Sequence, residues 1–163
     1  MADIISKEGI YNFLPENLKS RFNISVFEKT ESTNLLLKNM ALNGAEEGTV
    51  VVAGEQSAGI GRMGRSFFSP GNTGIYMSIL LKPQIKPEKS VFITTAAAVA
   101  VCRALEKNGV ENAGIKWVND IYIKGKKVCG ILTQGNINPQ SQELDFAILG
   151  IGINVYKPEN DFP

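Results

Sequence analysis

The chain has 163 residues, with 17 Lys plus Arg against 16 Asp plus Glu, 44% hydrophobic residues and no histidine. That length buries a single good core, and the near-neutral charge argues against a protein that coats nucleic acid. Without histidine, Ser-His and Cys-His nucleophiles and His-ligated metals are excluded, leaving Lys, Arg, Asp, Glu, Tyr, Cys or metal-bound water for charge and proton work.

In chain order, residues 1–21 read as a short helix carrying Ile10, Tyr11, Phe13 and Leu14, stopped by Pro15, with one more turn over Glu16–Arg21. Asn23–Phe27 alternates like a strand. Ser32 or Thr33 caps a helix with Leu35, Leu36, Met40 and Leu42 on its apolar face, ended by Gly44. Thr49–Ala53 is a β-branched run and so a buried strand. Gln56–Asn72, rich in glycine, reads as a long loop, a length usually kept for function or disorder. Gly74–Leu81 returns to strand. Pro87 opens a helix whose face is expected to hold Val91, Thr95, Ala98, Cys102 and Leu105, ended by Gly109. Ile115–Trp117 starts another strand. Ile121–Ile123 and Val128–Leu132 form a hairpin turning at Gly125, and Leu144–Val155 is the last strand. Frequent hairpins and an excess of strands predict an α+β domain with a mixed or antiparallel sheet. Cys102 and Cys129 form no CxxC pair and read as buried thiols of a reducing compartment. No apolar run is long enough to span a bilayer, and the start lacks a secretory signal, so the expected location is cytoplasmic.

Several stretches have chemistry in them. Gly59-Ile60-Gly61-Arg62-Met63-Gly64-Arg65 combines glycines, which let a backbone approach a ligand, with arginines that fork onto carboxylate or phosphate. It is neither a P-loop nor a complete GxGxxG, so an anion-binding loop and a solvated surface loop both remain open. Lys116 lies between Ile115 and Trp117, either snorkelling to water or aimed into a site. Asn119-Asp120 reads as a turn, with Asp120 alternatively a weak Mg2+ candidate. Ser32-Thr33-Asn34 reads as a helix cap whose free N–H groups also suit a polar ligand atom. Gly130, Gly150 and Gly152 interrupt strands, as bulges or as close approaches to a ligand. Asn154, at the end of a buried strand, could read a base edge.

Taken together, Glu31–Asn34, Gln56 with Ala58–Arg65, Phe68-Ser69-Pro70, Lys116–Asp120, Lys127-Val128-Cys129-Gly130-Ile131-Leu132 and Gly150–Asn154 resemble, in order and spacing, the biotin protein ligases, or biotin–[acetyl-CoA-carboxylase] ligases. The resemblance covers about Phe22 to Asn154. It implies a domain related to class II aminoacyl-tRNA synthetases, with residues 1–21 as a connector and 22–163 as an incomplete catalytic domain. It implies that biotin and MgATP give biotinyl-5′-AMP, and that a lysine of the biotin carboxyl carrier domain of acetyl-CoA carboxylase then takes the biotin. By resemblance, Lys116 and Arg62 are catalytic. Ser32, Thr33, Asn34, Gln56, Gly59, Ile60, Gly61, Arg62, Lys116 and Gly130 bind biotin, and Arg62, Arg65, Phe67, Lys116, Asn119 and Asn154 bind ATP. The sequence departs from the family pattern at Ile60, where arginine is usual, at Val118, where proline is usual, and at Phe67, where tryptophan is frequent. Relatives usually continue into more catalytic domain and a small β-barrel, and many begin with a winged helix-turn-helix. The resemblance therefore implies an excised central fragment or a natural short form, with weak biotin binding and impaired catalysis. It leaves a homodimer open, while charge balance and the missing helix-turn-helix pattern speak against direct DNA binding. The competing readings are a lipoate or octanoate ligase or transferase of the same fold and a non-catalytic biotin-binding fragment.

Overall fold

The computed structural model describes residues 5–158 and 162. Two short helices, α1 (Lys7–Phe13) and α2 (Glu16–Lys19), precede β1 (Asn23–Thr30), α3 (Thr33–Leu42), β2 (Thr49–Gln56) and β3 (Gly74–Leu81). A 3-10 turn over Pro87–Ser90 runs into α4 (Val91–Lys107), followed by β4 (Gly114–Lys116), β5 (Asp120–Ile123), β6 (Lys126–Ile137) and β7 (Leu144–Asn154). The strands form one sheet in the order β1-β2-β3-β7-β6-β5-β4. Only β1 and β2 are parallel, joined by α3 as a crossover; the other pairs are antiparallel. The expected mixed α+β architecture is therefore present.

Alternation along the strands sorts the core. Val51 packs with Leu37, Leu80, Phe146 and Ile148 under α3, whereas its neighbours Val50 and Val52 pack with Ile10, Tyr11 and Leu14 around α1. Next along the sheet, Ile131, Leu149 and Ile151 meet Ala97, Ala98, Val101 and Cys102 of α4. The register Val52↔Met77↔Ile151↔Ile131 puts α1 and α4 on one face and α3 on the other. Leu37, Leu80 and Ile148 are fully buried, each contributing about 1.5–3 kcal/mol by removal from water. The Tyr11 hydroxyl donates to Phe22 O at 2.6 Å, tying α1 to the start of β1.

Two expectations change. The buried face of α4 is Thr94, Ala97, Ala98, Val101 and Cys102, and Leu105 packs partly buried against the same core, so of the expected stripe Val91 and Thr95 are the residues that stay out of it. The helix begins after a tighter 3-10 turn over Pro87–Ser90, and Val91, its first residue, is 38% exposed. The strand expected over Ile115–Trp117 is instead Gly114–Lys116, and Trp117 lies beyond it at 79% exposure. The hairpin at Gly125 forms as expected, with Lys124 and Gly125 both at positive φ (48° and 77°), the geometry that matches strand twist.

Both cysteines are free and buried. Burial pushes the Cys129 thiol from 9.0 up to about 12, against a smaller downward pull from Lys127, and burial also raises Cys102. A thiol that folding keeps neutral contributes its full stability below pH 9.0, and that contribution fades as the pH rises toward about 12. Iodoacetamide at pH 8 should leave both residues unmodified in the native protein and alkylate both in urea. Fast native alkylation, read by mass spectrometry, would contradict this packing.

Candidate functional site

The site lies on the α3 face, where the crossover from β1 delivers a helix start against the middle of the sheet. Ser32 caps α3, its hydroxyl accepting from Leu35 N at 3.5 Å. Ser32, Thr33 and Asn34 are all buried, so every polar atom there needs a partner. Gln56, at the end of β2, supplies one: its Oε1 accepts from Thr33 N at 2.8 Å and Thr33 Oγ1 at 3.1 Å. Its Nε2 donates to Ser69 Oγ at 2.8 Å, and Ser69 Oγ donates to Phe67 O at 2.9 Å. The Asn34 amide spans the other side. Its Nδ2 donates to Gln134 Oε1 at 2.8 Å, and its Oδ1 accepts from Ser78 Oγ at 2.6 Å. These bonds fix a polar floor whose side chains have one arrangement each.

Glycines shape the wall. Gly130 and Gly152 are directly paired across β6 and β7, and the Phe67 ring lies on both. A Cβ on Gly130 would stand 2.9 Å from that ring and one on Gly152 would stand 2.6 Å from its Cζ. Phe67 also meets Tyr76 edge-on, with centroids 6.4 Å apart. Burial pushes the Tyr76 phenol up, so it stays a neutral donor, bonded to Pro70 O at 3.0 Å.

The Gly59–Arg65 loop closes the cleft. Gly61 N donates to Arg65 O and Phe67 N to Gly59 O, both at 2.7 Å, which folds the loop back on itself. Met63 and Gly64 take positive φ (56° and 73°) at its tip. Gly59 is buried and packs on Phe67 O and Ser69 Oγ, leaving no room for a side chain. Arg62 reaches from the loop to the far strands, its Nη1 donating to Asn119 Oδ1 at 2.8 Å. Asn119 Nδ2 donates to Asp120 Oδ1 at 2.9 Å, and the same oxygen holds Lys127 Nζ at 2.8 Å.

Ser32, Thr33, Asn34, Gln56, Ile60, Gly61, Arg62, Phe67, Asn119 and Gly130 thus line one cleft, of about 50 Å³. A pocket holding a small molecule usually has about 300–1,000 Å³, so loop and Phe67 fill most of the space a ligand would use. The larger hollow of about 530 Å³ between α1 and the sheet brings no charged group to its walls and no comparable polar floor.

Five candidate residues lie apart from the lining: Gly59, packed against Phe67 and Ser69, and Lys116, Arg65, Asn154 and Asp120. Lys116 ends an edge strand whose residues are all exposed, and its Nζ sits 5.1 Å from the centre of the Tyr122 ring. Arg65 is exposed on the loop. Asn154 closes β7 opposite Gly74, and its buried Oδ1 is the only such side-chain atom without a hydrogen-bond partner among the described residues. Asp120, the Mg2+ candidate, has one carboxylate oxygen already engaged, by Lys127 and Asn119, and no cluster of three acidic or cysteine groups exists among the described residues.

Ser78, Gln134, Ser69 and Lys127 were not among the sequence candidates. Ser78 carried a signal, being a polar residue in the apolar run Ile75–Leu81, whereas Gln134 stands beside Thr133 and near Asn136 in β6 and does not stand out.

The α+β domain thus sets a polar floor, a glycine wall and an arginine-bearing loop around one cleft. The biotin/lipoate A/B protein ligase family model matches residues 26–154, and the chain belongs to that family. It is 44% identical over 132 residues to the bifunctional ligase/repressor BirA of Bacillus subtilis, covering 81% of this chain and 40% of that protein. It is 31% identical over 137 residues to the biotin–[acetyl-CoA-carboxylase] ligase of Mycobacterium tuberculosis, covering 81% of this chain and 49% of that protein. Among solved structures, the biotin protein ligase of Aquifex aeolicus in complex with biotin and ATP matches with a TM-score of 0.67 and 32% identity, over 85% of this chain and 56% of that one. The Leishmania major biotin protein ligase in complex with biotinyl-5-AMP matches with a TM-score of 0.64 and 28% identity, over 84% and 59%. The chain thus spans between two-fifths and half of the length of these two curated relatives.

Proposed function

We propose that the domain is the biotin-activating part of a biotin–protein ligase. The observation that carries the reading is the convergence of Thr33, Gln56, Arg62, Asn119 and Gly130, from five separate stretches, on one cleft. In the first step a biotin carboxylate oxygen attacks the α-phosphorus of MgATP, and the bond to pyrophosphate breaks. In the second, a lysine amine of a biotin carboxyl carrier domain attacks the acyl carbon, loses a proton and releases AMP. Mg2+ enters as part of the nucleotide substrate.

Each residue then has a task. Thr33, Asn34 and Gln56 present hydrogen-bonding groups to biotin's polar ring, and Gly130 leaves the backbone approachable. Arg62 and Lys116 neutralise charge where two anions meet, Lys116 swinging in from its place on Tyr122. The unpaired Asn154 Oδ1 is an acceptor suited to the adenine amino group, since a buried unpaired acceptor gains most from a donor. Arg65 and Asn119 assist at the phosphates. The Gly59–Arg65 loop and Phe67 move outward to admit ligand and close over the acyl-adenylate, which water would hydrolyse. Near-neutral charge fits a cytoplasmic enzyme, and among the described residues no helix is long and apolar enough to cross a membrane.

Incubating the protein with MgATP and biotin, lipoate or octanoate, followed by mass spectrometry, should show biotinyl-AMP and none of the other adenylates. A lipoyl- or octanoyl-adenylate in its place would transfer the reading to the other branch of the family.

A further inference from the structure

We propose that the floor of the empty cleft is one hydrogen short where the Ser78 and Thr33 hydroxyls meet. Ser78 is thereby a positioning residue, keeping Thr33 poised to accept an N–H from the ligand. Only the identity of that ligand rests on the biotin reading above.

Four side-chain oxygens lie in a row beneath the cleft. Asn34 Oδ1 is 2.6 Å from Ser78 Oγ, Ser78 Oγ is 2.8 Å from Thr33 Oγ1, and Thr33 Oγ1 is 3.1 Å from Gln56 Oε1. The two end atoms are carbonyl oxygens and bring no hydrogen. Gln56 is fixed that way round: its Oε1 takes Thr33 N, and its Nε2 donates to Ser69, whose own hydrogen goes to Phe67 O. Asn34 is fixed by its Nδ2, which donates to Gln134. The two hydroxyls in the middle supply one hydrogen each. Three short contacts therefore share two hydrogens. With Ser78 donating to Asn34 and Thr33 to Gln56, the central contact sets lone pair against lone pair. Moving either hydrogen into it bares a neighbouring contact instead.

Burial keeps the shortage in place. Ser78 is fully buried, and Thr33 and Asn34 are each 4% exposed, so solvent does not supply the missing hydrogen. Thr33, Asn34 and Gln56 line the cleft, and Ser78 lies beneath them. A ligand N–H can thus reach Thr33 Oγ1, draw electron density from it and ease the bare contact behind. The cyclic urea of biotin carries such N–H groups, whereas the dithiolane ring of lipoate carries none. The shortage costs the empty protein stability, and a ligand with the right head group relieves it.

A double-mutant cycle on urea midpoints tests the contact without ligand. Thr33→Val keeps the side-chain shape and the backbone N–H but removes one hydrogen and two contacts, so the row balances. Its midpoint should equal or exceed the parent's. Ser78→Ala should lower the midpoint more in the Thr33→Val background than in the parent, because only the parent is relieved of the bare contact. Saturating biotin should shrink or reverse this repulsive coupling, and lipoate should leave it as it is. In calorimetry, Thr33→Val should weaken biotin about tenfold. A lowered midpoint in Thr33→Val, or a zero or favourable coupling in the empty protein, overturns the inference; the first of these decides the matter if Ser78→Ala fails to fold. A coupling that bound biotin leaves unchanged also overturns it. Repulsive coupling in a protein that binds lipoate and not biotin overturns the biotin reading and leaves the hydrogen shortage standing.

Discussion

Gly150→Ala is expected to lower folding stability by about 2–4 kcal/mol, although it adds a single methyl group. The new Cβ would run into the Asn34 side-chain amide, with Cγ 2.8 Å away, Nδ2 3.0 Å away and Oδ1 closer still. The amide cannot step aside, because Ser78 holds its oxygen and Gln134 its nitrogen. Displacing it strands buried polar atoms on three residues from α3, β3 and β6. A double-mutant cycle in urea tests this. In an Asn34→Ala background the clash is gone, and the same glycine change should cost about 1 kcal/mol or less. Additive costs would mean that Gly150 is required for some reason other than the seat of Asn34.

Lys116→Ala is expected to lower kcat/KM for biotin-dependent pyrophosphate exchange by about 10²–10³-fold, with little change in calorimetric biotin affinity. The charge that Lys116 would neutralise exists only when carboxylate and α-phosphate come together, so its loss belongs to the rate. Its resting contact favours such a movement: an exposed cation over an aromatic ring is worth about 0.5–1 kcal/mol, which a developing negative charge easily outweighs. Pyrophosphate exchange at the parental rate in Lys116→Ala would remove it from the chemistry.

Much of this molecule can be read from short stretches. The β-branched run Thr49–Ala53, the Ser32 cap and the positive-φ turn at Lys124-Gly125 are local choices, and they form where their residue types place them. The site residues Thr33, Gln56, Arg62 and Asn119 are legible for a different reason. Their residue types alone left Thr33 in a helix cap, Asn119 in a turn and Arg62 on a surface loop, and the ordered resemblance of their segments to one family singled them out. The face of α4 was legible from Ala98 onward but not at its start, where Val91 follows a 3-10 turn and stays off the core. Ser78 and Gln134 were passed over because their bonding to Asn34 depends on strand pairing that the sequence does not display.

Residue types and spacing alone thus determined the α+β class, the polar and cationic segments, and the absence of any histidine-based chemistry. Tertiary structure decided which of those segments meet, and at what cost in space. It put Lys116 at a solvent edge and Lys127 in the cleft, because sheet order makes β4 an edge while β6 lies inside the sheet. It also set Phe67 into the slot that Gly130 and Gly152 leave open. A sequence specifies side chains one at a time, but charge pairing and exclusion of water depend on distances between strands that only the folded sheet defines.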